Sequence, residues 1–92
     1  MKIAVKKIKD FPKSELDVTV TDNTTTHHTV TVTKEYYEKL TGGKILVETL
    51  VEKTFEFLLS REPNTSILSE FDLTVTLTYF PEFEKEMSEL FT

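Results

Sequence analysis

The chain of 92 residues contains no cysteine. This absence excludes a disulfide framework, a thiolate nucleophile and metal or iron–sulfur sites held by sulfur, and it is typical of a reducing compartment. No apolar run approaches the roughly 18 residues that a membrane span needs. Lysines interrupt the apolar residues between Met1 and Lys7, so we see no signal-peptide core. We therefore expect a cytoplasmic protein without a membrane span.

The composition is typical of a folded, soluble, acidic domain. Hydrophobic residues make up 38% of the chain, charged residues 29%, and the net charge is -5. At this length we expect one domain over residues 1–92. Its predicted parts are a basic N-terminal strand or arm at 1–13, a hairpin at 16–33 and a mainly helical part at 34–92.

Alternating apolar and polar residues predict strands in the N-terminal third. Ile3 and Val5 alternate with polar or small neighbours, and the lysines beside them favour a sheet edge. The same alternation at 16–20 and 28–32 flanks the polar stretch 22–26, which predicts an antiparallel hairpin with its valines facing inward.

Apolar residues at three- and four-residue spacing predict helices in the remainder. A short helix over 34–40 has Thr33 as its N-cap and Gly42 as its left-handed end. The main helix covers 46–61 and lacks a side-chain cap, so burial of its apolar stripe must stabilise it.

The C-terminal third is less regular. We predict a short helix over 66–71 and a final amphipathic helix that opens at Pro81. The segment 73–80 fits both a strand, with alternating threonines, and a helix with Thr74 as its N-cap. The predicted fold is α+β, with an antiparallel sheet of two or three strands packed against one main helix and short C-terminal helices.

Four runs of the sequence form a recognisable set: EYYEKLTGG at 35–43, LVEKTFEFLLSREP at 50–63, FDL at 71–73 and YFPEF at 79–83. Together they resemble a group of small uncharacterised prokaryotic proteins. The resemblance covers roughly residues 16–84. It implies a helix over 74–80, which we adopt as our prediction, and it implies no catalytic or binding residue.

Few residues carry recognisable chemistry. His27 and His28 are adjacent, and neighbouring side chains of a strand point to opposite faces, so the pair is a poor ligand set for one metal. The run at 41–44 (TGGK) lacks the spacing of a phosphate-binding loop. We predict no metal, no cofactor and no catalytic residue. A small-ligand or enzymatic domain that uses His27, His28, Tyr36 and Tyr37 is the alternative.

We predict a non-catalytic protein-interaction or regulatory module, which acts as a homodimer or with a protein partner. Its candidate surface combines apolar residues and two lysines: Phe57, Phe83, Met87, Phe91, Lys6 and Lys7. Nucleic-acid contact through the lysine-rich arm is a weaker alternative, because the acidic remainder of the chain repels a polyanion.

Overall fold

The structure, a computed structural model, describes residues 2–91 and combines strands with helices. The strands are β1 (Lys2–Lys9), β2 (Lys13–Thr21), β3 (Thr25–Thr33) and β4 (Glu70–Asp72). The α-helices are α1 (Lys34–Thr41), α2 (Val47–Leu59), α3 (Val75–Tyr79) and α4 (Phe83–Phe91), and a 3₁₀ turn covers Asn64–Ser66. The protein is therefore α+β, as predicted.

The strands form one mixed sheet in the order β1-β2-β3-β4. The first three strands are antiparallel, whereas β4 runs parallel to β3 and places Phe71 beside Val30. The prediction of two or three antiparallel strands thus missed β4, and the helix predicted over 66–71 is wrong. This segment is extended because its backbone pairs with β3. The Thr29 N–H donates to the Ser69 carbonyl at 2.8 Å, and the Leu73 N–H donates to the Thr31 carbonyl at 2.9 Å.

The sheet has an apolar face under the helices and a polar face. Alternation in β2 and β3 buries one set of side chains almost completely: Leu16, Val18, Val20, Val30 and Val32. Helix α2 packs its own apolar side chains into the same core, with Leu50, Val51 and Phe55 fully buried. Burial at this interface, at about 25 cal/mol per Å² of apolar surface, is the main stabilising contribution of the fold.

Helix α1 follows β3 directly and has the ends that the sequence predicts. The Thr33 hydroxyl accepts a hydrogen bond from the Tyr36 N–H at 3.3 Å. Gly42 has a φ of 70°, a left-handed conformation that residues other than glycine rarely adopt. Its N–H donates to the Glu38 carbonyl at 2.8 Å. Thr33 and Gly42 therefore fix where this helix begins and ends.

The remaining helices differ from the predictions mainly at their ends. Helix α2 begins one residue later than predicted, without a side-chain cap, and ends at Leu59. Helix α3 confirms the short helix in the ambiguous segment, and the Phe80 N–H closes it by donating to the Thr76 carbonyl at 2.9 Å. Helix α4 begins at Phe83, after the turn that contains Pro81.

None of the helices within residues 2–91 has the length and apolar character that crossing a membrane requires.

The lysine-rich N-terminal segment is strand β1 at one edge of the sheet. Its register places Lys6 beside Asp17 of β2. Its apolar residues Ile3 and Val5 pack against the core but stay half-buried, because none of the strands in residues 2–91 lies beyond them. The basic segment is therefore part of the sheet along most of its length.

Candidate functional site

A network of hydrogen bonds through the buried side chains of Asn64 and His28 and the half-buried Thr26 ties the segment before β4 to the hairpin of β2 and β3. The Asn64 amide donates from Nδ2 to the Thr24 carbonyl at 2.7 Å and to the Thr26 hydroxyl at 3.1 Å. That hydroxyl lies 2.9 Å from His28 Nε2, and His28 Nδ1 lies 2.8 Å from the Leu68 carbonyl. Because a carbonyl only accepts, His28 Nδ1 donates to Leu68, and in the neutral imidazole Nε2 then accepts from the Thr26 hydroxyl.

These hydrogen bonds fix the path of the polypeptide after α2. Asn64 and His28 are only 4% exposed, so breaking the network leaves their polar groups unpaired and away from water. The His28 ring also packs on Phe55, with 5.3 Å between ring centroids, and Phe55 contacts Phe71 of β4. The polar network and the aromatic contacts therefore hold β4 beside β3.

A groove opens where the segment between α2 and β4 meets the end of α2 and helix α3. Its volume is about 300 Å³ and its walls are mainly apolar. Leu58 comes from α2, Phe71 from β4, and Val75 and Thr76 from α3. The volume lies at the lower limit of typical ligand pockets, at about 300 Å³.

The groove contains a buried hydroxyl without a partner. Thr76 is 3% exposed, and within residues 2–91 its Oγ1 has no hydrogen bond. The buried Thr41 and Thr54 instead donate to helix carbonyls four residues earlier, at 2.7 Å to Tyr37 and 2.8 Å to Leu50. Thr76 is the second residue of α3, so the residue four positions earlier lies in β4 and offers no helix carbonyl.

The groove also has exposed apolar side chains and one carboxylate. Leu68 is 46% exposed, and Tyr79 is 65% exposed. Glu62 lines the same groove and forms no ion pair within the described chain. The neighbouring Arg61 instead reaches α4 and its preceding turn, where it pairs with Glu82 at 3.3 Å and Glu86 at 2.6 Å.

The predicted interaction surface is divided by the fold. Phe57, Phe83 and Met87 are each at most 5% exposed and belong to the core, because α4 closes over α2. Phe57 is further covered by the Arg61 guanidinium, 3.6 Å from its ring centroid. These three side chains are therefore not available to a partner of the folded chain. Phe91 is half-buried, and the two lysines, Lys6 and Lys7, are exposed on β1.

The histidines and tyrosines of the alternative prediction lie in separate surroundings. His27 is exposed on the polar face beside Thr19, whereas His28 is buried under α2, which confirms their opposite orientations. The Tyr37 hydroxyl donates to the Ile45 carbonyl, and its ring contacts Phe11. No group of three or more His, Cys, Asp or Glu residues able to hold a metal ion occurs in the part of the chain that the structure describes.

Tyr36 links α1 to α4. Its hydroxyl donates to Glu84 Oε2 at 3.1 Å, and Lys39 lies 3.2 Å from the other carboxylate oxygen. Burial of the phenol, with the hydrogen bond to Glu84, raises the pKa of Tyr36 above its ordinary value. This hydroxyl stays protonated at neutral pH and acts as a structural donor.

No protein-family model, curated protein or solved structure matches the chain. We therefore infer a function from the groove and the surfaces of the protein itself.

Two matched substitutions test the unpaired hydroxyl. Thr76→Val keeps the shape of the side chain and removes a buried hydroxyl without a partner, so we expect the free energy of unfolding to rise by about 1 kcal/mol. Thr54→Val removes a hydroxyl that is hydrogen-bonded, so it should lower the free energy of unfolding or leave it unchanged. Urea denaturation measures both. A loss of stability in Thr76→Val, equal to that in Thr54→Val, would contradict the assignment.

Alkaline titration tests the Tyr36 contact. The raised pKa of Tyr36 means that its contribution to stability is fully present below about pH 10, where the unfolded tyrosine titrates, and is lost as the pH rises above that value. Between pH 10 and 11.5 the free energy of unfolding should fall more steeply in the natural protein than in Tyr36→Phe, by up to about 1.4 kcal/mol per pH unit. Tyr79→Phe, which changes an exposed ring, should keep the steep fall. Equal slopes for the natural protein and Tyr36→Phe would refute the prediction.

Proposed function

We propose that this protein is a non-catalytic interaction module whose groove between α2, β4 and α3 holds an apolar segment of a partner protein. The observation that carries the proposal is a groove with apolar walls beside which Leu68 and Tyr79 stay exposed. Apolar surface that is open to solvent along a groove is what the apolar side chains of a peptide segment cover. The Thr76 hydroxyl in the wall is shielded from solvent and unpaired, which costs about 1–3 kcal/mol, and a small shift of α3 on binding would let the backbone of the segment pair with it.

The shape of the groove favours a protein segment over a metabolite. A volume of about 300 Å³ holds a few side chains, and much of the surface of Leu68 and Tyr79 lies open to solvent beside it. Exposed aromatic and aliphatic side chains at the edge of an apolar groove are typical of protein interfaces.

The charge at the groove favours a basic partner. Glu62 has no ion-pair partner in the described structure, and the protein carries a net charge of -5. A lysine or arginine beside the apolar anchors of the partner would meet this carboxylate and would be attracted by the field of the whole protein. We therefore propose a partner segment with bulky apolar anchors and flanking basic residues.

The other functions are less well supported. His27, His28, Tyr36 and Tyr37 do not share a cleft, which weakens the proposal of a small-ligand or enzymatic domain. Nucleic-acid contact through β1 would bring phosphates close to the carboxylate of Asp17, beside Lys6 in the sheet. A second copy of the chain remains an alternative occupant of the groove, and the experiment below includes it as an outcome.

A titration with synthetic peptides tests the proposal by amide NMR. One peptide has a leucine–phenylalanine pair flanked by arginines, and the matched peptide has glutamates instead. We expect the arginine peptide to shift the amide signals of Leu68, Val75 and Tyr79 and the glutamate peptide to bind more weakly. Leu68→Gln, which replaces an exposed apolar residue of the groove, should weaken binding by about tenfold.

Leu90→Gln is the matched control for this titration. Leu90 is 52% exposed on α4 and lies outside the groove, so its replacement should leave the affinity unchanged. Signal changes elsewhere in the protein, equal binding of both peptides, or the same loss of affinity in both variants would contradict the proposal. Concentration-dependent shifts at the groove without any peptide would instead identify a second copy as the occupant.

A further inference from the structure

We propose that the outer edge of β1 is a second binding surface, which pairs with an extended segment of another protein that alternates acidic and apolar residues. The proposal is independent of the groove, because it rests on different residues at the opposite edge of the sheet. The partner segment would add a fifth strand beside β1, by backbone pairing.

The backbone of β1 is available for such pairing. β1 ends the sheet and, within residues 2–91, has β2 as its one neighbouring strand. In an antiparallel edge strand, alternate N–H and C=O groups point away from the neighbour and can pair with another chain. The regular pairing of β1 with β2 is interrupted between Lys7 and Lys9, so the regular edge covers the earlier residues of the strand.

The apolar face of the sheet stops abruptly at this edge. Ile3 and Val5 lie beside Val20 and Val18 of β2, which are 0% and 1% exposed. Ile3 and Val5 themselves are half-buried, since none of the strands that the structure describes lies on their outer side. A partner strand with apolar residues at these positions would complete the rows of the apolar face.

The opposite face of β1 determines the charge of the partner. Lys2 and Lys6 are exposed there, and neither forms an ion pair in the part of the chain that is described. Asp17 lies beside Lys6 in the register, but its Oδ1 accepts from the Thr29 hydroxyl at 3.3 Å. Glutamate or aspartate at alternate positions of the partner strand would lie beside the two free lysines.

The same lysines disfavour a second copy of the chain as the occupant. Pairing β1 with β1 would bring together two strands that each carry Lys2, Lys6, Lys7 and Lys9. Like charges on adjacent strands are destabilising, and edge lysines are a known means by which proteins avoid self-association. An acidic segment removes this repulsion, which is why we assign the surface to a different protein.

Peptide titration monitored by amide NMR tests this surface. The probe is a short peptide that alternates glutamate and valine, and the comparison peptide has lysine in place of glutamate. We expect the glutamate peptide to shift the amide signals of β1, to slow hydrogen exchange in that strand and to bind more weakly as salt is added. The lysine peptide should bind far more weakly.

Two double variants with the same net charge separate local from general electrostatics. Lys2→Glu with Lys6→Glu should weaken binding of the glutamate peptide by about tenfold and strengthen binding of the lysine peptide. Lys34→Glu with Lys85→Glu changes exposed lysines on α1 and α4 and should leave the affinity nearly unchanged. Well-dispersed NMR spectra would show that both double variants are folded.

Several results would overturn the proposal. They are the absence of binding, equal binding of the two peptides, equal effects of the two double variants, and signal changes confined to Leu68, Val75 and Tyr79. The last result would assign the acidic peptide to the groove and leave the β1 edge without a partner. Because the two surfaces have separate NMR signals, failure here and failure of the groove proposal are distinguishable.

Discussion

The network of hydrogen bonds from Asn64 through Thr26 and His28 to the Leu68 carbonyl is the interaction on which the groove beside β4 depends. A buried histidine and a buried amide must be paired, and here their partners lie about forty residues away along the chain. Satisfying them fixes the segment that leaves α2, so that β4 pairs with β3 and one wall of the groove forms. The groove is therefore a consequence of how buried polar groups are satisfied.

The two proposed surfaces lie at opposite edges of one sheet and differ in charge. The β1 edge carries free lysines beside a half-buried apolar row, whereas the groove beside β4 carries the free carboxylate of Glu62. The core between them is closed by α2 and α4, and Arg61 joins these helices through Phe57, Glu82 and Glu86. If both proposals hold, this one core would carry two different partner segments at once.

Periodicity predicted the elements whose side chains alternate or recur over many residues, which are the β2–β3 hairpin, α1 and α2. It missed β4, because three residues with one buried side chain give no alternation and parallel pairing depends on a strand far along the chain. It assigned Phe57, Phe83 and Met87 to an interaction surface, although all three belong to the core. A helical stripe shows which side chains seek apolar surroundings, but it does not show whether the core of the same chain or a partner protein supplies them. The groove escaped detection because the threonine that marks it, Thr76, belongs to an alternating run typical of a strand, and its lack of a partner exists only in the folded chain.

Native-state hydrogen exchange in Thr26→Val tests whether the bonds among Asn64, Thr26 and His28 hold β4 beside β3. The substitution keeps the side-chain shape and removes the hydroxyl that joins Asn64 to His28. We expect the amides of Thr29 and Leu73, which bond β3 to the β4 segment, to exchange at least about tenfold faster, while the amides that pair β1 with β2 keep their protection. Unchanged protection at Thr29 and Leu73, or an equal loss throughout the sheet, would contradict this expectation.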